Sequence, residues 1–164
     1  MRKLIILLNI SCCITCFSCT PDKCCYIPGP SNFIRATRNG SDWTIDNTVG
    51  RLKMDSLIIA DTSVNPQRTE LLAFKLKFTD TASYNLNNAN IVYGYVPQMD
   101  NPYVYYTLDP NYPNTLKISF YDVKAGFVAG DFDIRLIKDP ANTDERYPAT
   151  VSFLNGSFSV HLSK

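Results

Sequence analysis

The sequence predicts an all-β fold, a single antiparallel β-sandwich or barrel of about 8–10 strands, preceded by a signal peptide and a flexible tether. Apolar and polar residues alternate with the period of a strand, and no long helical period is visible. Turn signals rich in Gly, Pro and Asn recur at intervals of ~8–15 residues, a spacing typical of antiparallel sandwiches and barrels.

The segment Glu70–Phe78 shows the alternation most clearly. Leu72 and Phe74 fall on one side of the predicted strand, whereas Lys75 and Lys77 fall on the other. This pattern indicates a sheet with one buried and one solvated face. The same pattern, divided at the turn signals, predicts strands over 32–38, 42–47, 51–61, 70–78, 90–96, 103–108, 115–122, 127–138, 149–154 and 156–162.

An internal repeat links two of these regions. Gly130–Leu136 and Gly156–Leu162 share the pattern Gly-x-Phe-x-aliphatic-x-Leu, whose apolar residues fall on one face of a strand. The glycines are interpreted as bulges or as points of close backbone approach. Asn155-Gly156 is also a strong hairpin signal, and a hairpin would set Phe153 opposite Phe158. Because Gly130 begins the same pattern without a preceding Asn, a bulge within one long strand is slightly favoured.

The N-terminus has the features of a signal peptide. Met1-Arg2-Lys3 is positively charged, and residues 4–17 are mainly apolar. A run of about 14 residues is long enough for a signal peptide but shorter than the ~20 residues of a membrane-spanning helix. An uncleaved anchor helix is therefore the disfavoured alternative.

The apolar run ends in Ser18-Cys19, a small residue directly before a cysteine. This pair resembles the lipobox of bacterial lipoproteins, in which the cysteine thiol takes a diacylglycerol before the chain is cut. Cys16, preceded by Thr15, is the alternative lipidation site. The predicted regions are a signal peptide over 1–18, the lipidated Cys19 with its tether over 19–31, and an all-β domain over 32–164.

The distribution of cysteines agrees with this division. The chain has six cysteines, and none lies beyond residue 25. A disulfide-stapled exported domain would carry cysteines throughout its fold, so this domain is expected to depend on core burial. Cys24-Cys25 has no nearby His and makes a poor metal site. Further acylation, or no role, is the favoured interpretation of that pair.

Charge and histidine content argue against nucleic-acid binding and against the usual hydrolases. The chain has 16 basic and 15 acidic residues, so loss of Arg2 and Lys3 leaves it close to neutral, without a basic stripe for nucleic acid. His161 is the only histidine, and it is expected to face solvent between core positions Val160 and Leu162. A Ser–His–Asp or Cys–His site would need a positioned histidine. We therefore expect no enzyme, no catalytic residue and no cofactor.

Two groups of acidic residues have simple structural interpretations. Asp131 and Asp133 flank Phe132 and share an outer face, where they are expected to be solvated. The segment 139–145 offers the oxygen ligands that calcium prefers, in Asp139, Asn142, Asp144 and Glu145. It lacks the glycine and the terminal bidentate Glu of an EF-hand loop, so an acidic, turn-rich loop without a metal is favoured.

The candidate ligand-binding residues are Trp43, Tyr93, Tyr95, Tyr103 and Tyr105. Trp43 follows the Asn39-Gly40 turn and is expected to plug one end of the core, with ligand stacking as the alternative. These tyrosines lie in the region 93–112, which also holds Tyr106 and Tyr112 and is interleaved with Asn and Pro. Tyr combines a flat apolar ring with a hydrogen-bonding tip. Ordinary strand composition explains the same tyrosines, because Tyr is a good strand former.

Several short motifs carry a family likeness. Asn39-Gly40-x-x-Trp43, Gly130-x-Phe132 and Asn155-Gly156-x-Phe158-x-Val160 together resemble small Bacteroidetes lipoprotein domains of unknown function, which look like lipocalin-like barrels or β-sandwiches. The resemblance spans most of residues 33–162 and brings no catalytic residue with it. It implies a cell-envelope location, at the outer membrane. The leaflet stays open, because Asp22 is the only acidic residue close behind Cys19.

The sequence thus predicts a membrane-anchored, non-enzymatic envelope lipoprotein. Its β domain is expected to bind a partner protein of the envelope, a small ligand or a glycan at one end of the sheet. The alternative is a structural or assembly component of an envelope complex with no small-molecule site. A hydrolase, or an inhibitor of one, is the minor third alternative. An enclosed cavity would favour ligand binding, whereas a filled core with an exposed apolar patch would favour assembly.

Overall fold

Alternating apolar and polar residues form strands throughout the part of the chain that the structure describes. The computed structural model describes residues 32–46, 48–61, 70–86, 90–95 and 104–163. These ranges contain eleven strands and no α-helix, which confirms the all-β prediction. The strands are β1 (Phe33–Arg38), β2 (Ser41–Asp46), β3 (Thr48–Lys53), β4 (Ser56–Asp61), β5 (Glu70–Lys77), β6 (Ser83–Asn85), β7 (Asn90–Tyr95), β8 (Val104–Leu108), β9 (Thr115–Asp122), β10 (Phe127–Lys138) and β11 (Thr150–Ser163).

Several of the sequence predictions concern residues that the structure does not describe. The signal peptide, Cys19, the alternative Cys16, the tether and Tyr103 lie outside the described residues.

All of these strands belong to one hydrogen-bonded sheet. Its order is β2-β1-β11-β3-β4-β5-β7-β8-β10-β9-β6, and an additional pairing between β10 and β11 closes part of it into a ring. The ring consists of β11, β3, β4, β5, β7, β8 and β10, with β1–β2 attached to β11 and β9–β6 attached to β10. The fold is therefore a barrel-like sheet extended by two flaps.

One strand pair in the ring is parallel. Leu162 and Ser163 of β11 pair with Gly50 and Arg51 of β3 in the same direction, whereas all other described pairings are antiparallel. The expectation of a wholly antiparallel sheet was wrong at this pair. A ring with an odd number of strands cannot alternate direction all the way round, so at least one neighbouring pair must be parallel.

The predicted strand number was also too low. The expected single strand over 51–61 is in fact the β3–β4 hairpin, which turns at Met54 and Asp55. Met54 has a φ of 56°, a conformation that the sequence did not signal because no Gly, Pro or Asn stands there. β6 has only three residues, too few to show alternation.

The internal repeat pairs with itself across β10 and β11. Gly130 lies opposite Phe158, and Gly156 lies opposite Phe132. A Cβ on Gly130 would come within 2.7 Å of the Phe158 ring, and one on Gly156 within 2.5 Å of the Phe132 ring. Each glycine therefore makes room for the phenylalanine of the other strand. Both predicted roles apply: each glycine is a point of close approach, and each also lies beside a register shift, Gly130 in its pairing with β9 and Gly156 in its pairing with β10.

A β-bulge, rather than a hairpin, follows Phe153. On β11 the partners of Phe132 and Ile134 are Gly156 and Phe153, so β11 carries one more residue than β10 across this step. Asn155 lies within it and has a φ of 51°, which Asn tolerates better than most residues. The favoured bulge within one long strand is confirmed, and the alternative pairing of Phe153 with Phe158 is wrong.

The inward side chains of the ring meet in one core. Tyr93, Phe74, Phe132, Phe153 and Phe158 are its largest fully buried members. Their rings contact one another, with centroids 5.0 Å apart for Phe74–Phe132 and 5.1 Å apart for Tyr93–Phe153. The interior is thus occupied by aromatic and aliphatic side chains, and the polar chemistry of the domain lies at the ends and on the outer faces.

Candidate functional site

Three of the predicted ligand-binding residues come together inside the barrel. Trp43 of β2 packs edge-on against Phe153, with ring centroids 4.8 Å apart. Tyr93 and Tyr95 of β7 both point inward and contact each other at 5.7 Å. Tyr106, which belongs to the tyrosine-rich region noted in the sequence, lies 5.3 Å from Tyr93. Tyr147, which sequence reasoning did not select, lies 4.6 Å from Tyr95 and completes this tyrosine cluster.

A carboxylate joins the cluster to the β1–β2 flap. Glu70 of β5 accepts hydrogen bonds from the Arg38 guanidinium and from Trp43 Nε1, the latter at 3.0 Å. β5 has no backbone pairing with β1 or β2, so these side chains form a bridge between separate parts of the sheet. The Arg38 and Glu70 side chains are only 30% and 21% exposed, so solvent screens this ion pair less than a surface pair.

Burial sets the proton affinities in the cluster. Burial raises the pKa of the Tyr93 hydroxyl far above its ordinary value, and the charge of Glu70 acts in the same direction. Burial also raises the pKa of Tyr106 to about 12. Desolvation works against the charge on Arg38, but the hydrogen bond and the negative charge of Glu70 raise the pKa of its guanidinium overall. Tyr93 and Tyr106 are therefore neutral hydrogen-bonding groups at physiological pH.

The arrangement of the cluster is that of a plug. Tyr93 is fully buried and Tyr106 is 2% exposed, with its hydroxyl donating to the Pro148 carbonyl at 2.8 Å. The aromatic rings of the cluster contact one another in edge-on and tilted geometries. Trp43 is partly buried against the core and donates a hydrogen bond to Glu70, and its expected role as a plug at one end of the core stays a prediction.

Tyr105 lies apart from this group. It alternates with Tyr106 along β8, points to the outside of the barrel and is 49% exposed. The structure thus brings together Trp43, Tyr93 and Tyr95 but separates them from Tyr105.

An open cleft lies elsewhere, beside β6, β9 and β10. Its volume is ≈ 880 Å³. One wall is the turn that precedes β9, with Asn111 and Tyr112, and the other is the outer face of β9 and β10, with Lys117, Asp131 and Asp133. Sequence reasoning placed Asp131 and Asp133 on an outer face but did not connect them with Tyr112. The signal that could have done so is the Pro and Asn content of 109–114, which is typical of an ordered turn.

The turn wall of the cleft is held by one buried amide. Asn114 is 3% exposed, and its Nδ2 donates to the carbonyl oxygens of Asp109 at 2.8 Å and Tyr112 at 3.1 Å. Its Oδ1 accepts from the Arg135 backbone N–H at 2.8 Å. The Arg135 guanidinium also lies over the Tyr112 ring, 4.7 Å from its centroid. The Tyr112 ring is therefore positioned in advance of any ligand.

The sheet wall of the cleft offers charged groups in register. Asp131 of β10 lies directly opposite Lys117 of β9, and both are exposed. Asp133 accepts a hydrogen bond from the Asn155 backbone N–H at 2.7 Å, which fixes its carboxylate. The cleft thus presents an aromatic ring and an amide on one side and carboxylate and ammonium groups on the other.

The remaining candidates have local roles. His161 is exposed, as expected, and its ring contacts Phe127 at 5.1 Å. In the 139–145 loop, Asp139 accepts a hydrogen bond from the Ala141 N–H at 2.8 Å, and Asn142 accepts one from the Asp144 N–H at 3.1 Å. Hydrogen bonds from Arg146 lower the pKa of Asp144 to about 2. The acidic residues of this loop therefore act as turn formers and as a partner for Arg146.

The described residues contain neither a cluster of metal ligands nor a membrane-spanning helix. No group of three or more His, Cys, Asp or Glu side chains in these ranges is arranged to hold a metal ion. Within the same ranges, no helix is long and apolar enough to cross a membrane.

Comparison of the chain with protein-family models, with curated proteins and with solved structures found no match.

Proposed function

We propose that this chain is a lipid-anchored lipoprotein of the bacterial cell envelope, at the outer membrane, that binds a glycan without enzymatic chemistry. The proposed location in the cell envelope is supported by the N-terminal sequence, where a short apolar run ends at Ser18-Cys19. Two acyl chains on one cysteine hold a protein stably on a membrane. The likeness of its glycine and aromatic motifs to Bacteroidetes lipoprotein domains supports the same location.

The observation that carries the binding function is the cleft. Its volume of ≈ 880 Å³ falls within the range of about 300–1,000 Å³ typical of small-molecule sites. Sugars present a C–H face that packs on an aromatic ring and hydroxyl groups that bond to carboxylates and amides. Tyr112 supplies such a ring, and Asn111 and Asp131 lie in the same cleft. The mixture of groups suits a polar ligand better than an apolar one.

The tyrosine cluster has a supporting role in this proposal. Its rings fill the space between β2, β7, β8 and β11, and Tyr93 and Tyr106 are buried. A ligand there would have to displace side chains that already contact one another. The cleft requires no such displacement, because the turn that carries Tyr112 is held by Asn114.

Calorimetric titration with oligosaccharides tests the binding function. The probes are malto-, cello- and chito-oligosaccharides, each titrated into the purified protein. Tyr112→Ala is expected to weaken binding of the active probe by at least tenfold, and Asp131→Asn by about fivefold, because each removes one direct contact. Tyr105→Ala is the matched control, since it removes an exposed tyrosine outside the cleft. Equal losses in all three variants, or no heat with any probe, would contradict glycan binding in the cleft.

Lipidation has its own test. Cys19→Ala is expected to abolish incorporation of radiolabelled palmitate and to release the protein from membranes. Cys16→Ala is the control and should leave labelling unchanged. Loss of labelling in Cys16→Ala alone would move the site to Cys16.

The filled interior of the ring favours a second candidate function. Phe74, Phe132 and Phe153 occupy the space that a ligand of a hollow barrel would use. A component that docks to an envelope complex needs no such space. Chemical cross-linking in intact cells distinguishes the candidates, because an assembly component would give one stoichiometric protein adduct and a glycan-binding monomer would give none.

A further inference from the structure

The outer face of β3, β4 and β5 collects four cationic side chains. Lys53, Ser56 and Lys77 form one row across these strands, and Arg51, Ile58 and Lys75 form the next. All four cations are exposed. Strands lie ~4.8 Å apart and next-nearest residues ~6.7 Å apart, so the four charges project from an area of roughly 10 by 7 Å. We refer to this surface as the basic face.

Acidic groups do not balance this charge. Among the described side chains of these outward rows and the turn that joins β3 to β4, Asp55 is the one acid, 3.6 Å from Lys77 in an exposed pair. The whole chain has almost equal numbers of basic and acidic residues. The excess on the basic face is thus a product of how the strands are arranged.

Apolar side chains continue the same surface. The third row consists of Val49, Ala60, Ala73 and Val92, and Val92 is 42% exposed. At the opposite end, Met54 stands at the tip of the β3–β4 turn with 91% of its surface exposed. A face that joins cations to apolar side chains has the composition of a membrane-surface contact, in which cations meet anionic headgroups and apolar groups enter the boundary below them.

We propose that the basic face lies on the anionic phospholipid headgroups of the membrane to which the protein is anchored. This inference rests on the proposed lipid anchor, which keeps the domain near that surface. The stretch from Thr20 to Asn32, if fully extended, would reach at most roughly 45 Å. The anchored domain therefore stays within that distance of the membrane and can touch its surface. Asn32 itself accepts a hydrogen bond from the N–H of Thr48, the first residue of β3, so the tether joins the domain next to the apolar third row, which continues the basic face.

Docking in this way would leave the cleft accessible. β4 and β5 lie across the ring from β10, and the cleft opens on β9 and β10. A glycan in the cleft would then be presented away from the membrane.

Lysine footprinting on vesicles tests the inference. The lipidated protein is reconstituted into vesicles of phosphatidylcholine alone or of phosphatidylcholine mixed with phosphatidylglycerol, treated with an acetylating reagent, and analysed by mass spectrometry. Lys53, Lys75 and Lys77 are expected to be labelled at least fivefold more slowly on the anionic vesicles. Lys117 and Lys124, which are exposed on β9 and the turn after it, are the internal controls and should be labelled equally on both. Equal labelling of all five lysines would overturn membrane docking.

A pair of charge reversals provides the matched variants. Each basic residue near an anionic surface contributes roughly a fivefold change in affinity. The double variant Lys75→Glu/Lys77→Glu is expected to lose the anionic protection at Lys53, whereas Lys117→Glu/Lys124→Glu should keep it. Protection that survives the first double variant would also overturn the inference.

Failure of the lipid anchor is visible separately. A protein without the acyl mass on Cys19 disproves the anchor, and the basic face is then tested by co-sedimentation of that unlipidated protein with the same two kinds of vesicle. Binding to anionic vesicles that Lys75→Glu/Lys77→Glu abolishes supports the face; no binding to either contradicts it. Retention by an acidic protein column without vesicle binding would assign the face to an acidic protein instead and contradict membrane docking.

Discussion

The two outer faces of the barrel differ in how they distribute charge. The basic face on β3–β5 carries Arg51, Lys53, Lys75 and Lys77 against one acid. The face formed by β2, β1, β11, β10 and β9 alternates in sign instead. Its central row contains Thr44, Arg35, Ser157, Asp131 and Lys117 in register, and we refer to it as the mixed face. A nearly neutral chain can therefore present one surface suited to an anionic plane and another suited to a polar ligand.

The faces are also supported differently. The mixed face stands over the β10–β11 crossing, where each glycine accommodates a phenylalanine of the other strand. The basic face stands over a plain antiparallel meander of β3, β4 and β5, whose inward residues are Leu57, Ile59, Leu72 and Phe74. Surface substitutions on the basic face should therefore leave the fold intact, whereas backbone-level changes under the mixed face should not. The following predictions test that difference, from the largest expected effect to the smallest.

Gly130→Ala is expected to be the most damaging single change. The new Cβ would lie 2.1 Å from the Lys117 backbone carbonyl oxygen and 2.7 Å from the Phe158 ring, so the backbone of β9 or β10 would have to move. The loss in the free energy of unfolding should exceed ~3 kcal/mol, at or beyond the upper end of overpacking effects. Urea denaturation measures it. Ser157→Ala, on the neighbouring strand, is the control and should change stability by less than ~0.5 kcal/mol; equal effects would contradict this account of the crossing.

Alkaline pH is expected to unfold the barrel from within. Tyr106 has a pKa of about 12 in the folded protein, above the value of 10.0 expected when unfolded, so the folded state holds its proton more tightly. The resulting stabilisation is fully present below pH 10 and is lost as the pH rises to about 12. Tyr93 shifts in the same direction. Tyrosinate absorbance and circular dichroism should change together in this window; a full tyrosine titration without loss of structure would refute the buried cluster.

Glu70→Gln should weaken the link between the β1–β2 flap and β5. The substitution keeps the shape of the side chain but removes the charge that Arg38 and Trp43 contact. A loss of about 1–3 kcal/mol is expected, because the partly buried Arg38 cation then keeps a neutral hydrogen-bond acceptor but loses its opposite charge. The chain has a single tryptophan, so a red shift of its fluorescence reports the local change directly. Glu145→Gln, at an exposed position, is the control and should alter neither signal.

Salt should weaken binding at the basic face more than binding at the mixed face. This is the smallest of the expected effects, and it distinguishes the two faces directly. Binding of the basic face to anionic vesicles is expected to weaken severalfold between 0.05 and 0.3 M salt, because exposed charges are screened over a Debye length of about 10 Å or less. Oligosaccharide binding in the cleft on the mixed face involves a neutral ligand and should change less than twofold. Vesicle co-sedimentation and calorimetry at the same salt concentrations provide the comparison. Parallel losses at both surfaces would show that they do not act independently.

Much of the fold could be read from the chain because side-chain alternation is local. The predicted strand over 127–138 coincides with β10, and the predicted strand over 115–122 coincides with β9. The repeat of Gly130–Leu136 in Gly156–Leu162 correctly favoured a bulge over a hairpin. The β3–β4 turn was not predicted, because Met54 adopts a positive φ and methionine is not a residue type that indicates such a turn.

The candidate site was less accessible to sequence reasoning, because it depends on distant contacts. Trp43, Tyr93 and Tyr95 were selected from the sequence as candidate ligand-binding residues, a role that stays a prediction, and their neighbours Glu70 and Tyr147 lie far away in the chain. Tyr112 and Asp131 share a cleft only because Asn114 binds the turn to β10. Alternation shows which residues face inward or outward, yet it does not show which outward residues become neighbours.

The sequence by itself determined the all-β class, most strand positions, the inward and outward faces, and the expectation of export and lipidation. These predictions follow from hydrophobic periodicity and from a short N-terminal signal, and both patterns are local because they involve residues close together in the chain. Only the tertiary structure decided the closure of the ring, the parallel pairing of β3 with β11, the cleft and the basic face. Each of these depends on strand order and register, which are set by the packing of residues far apart in the chain.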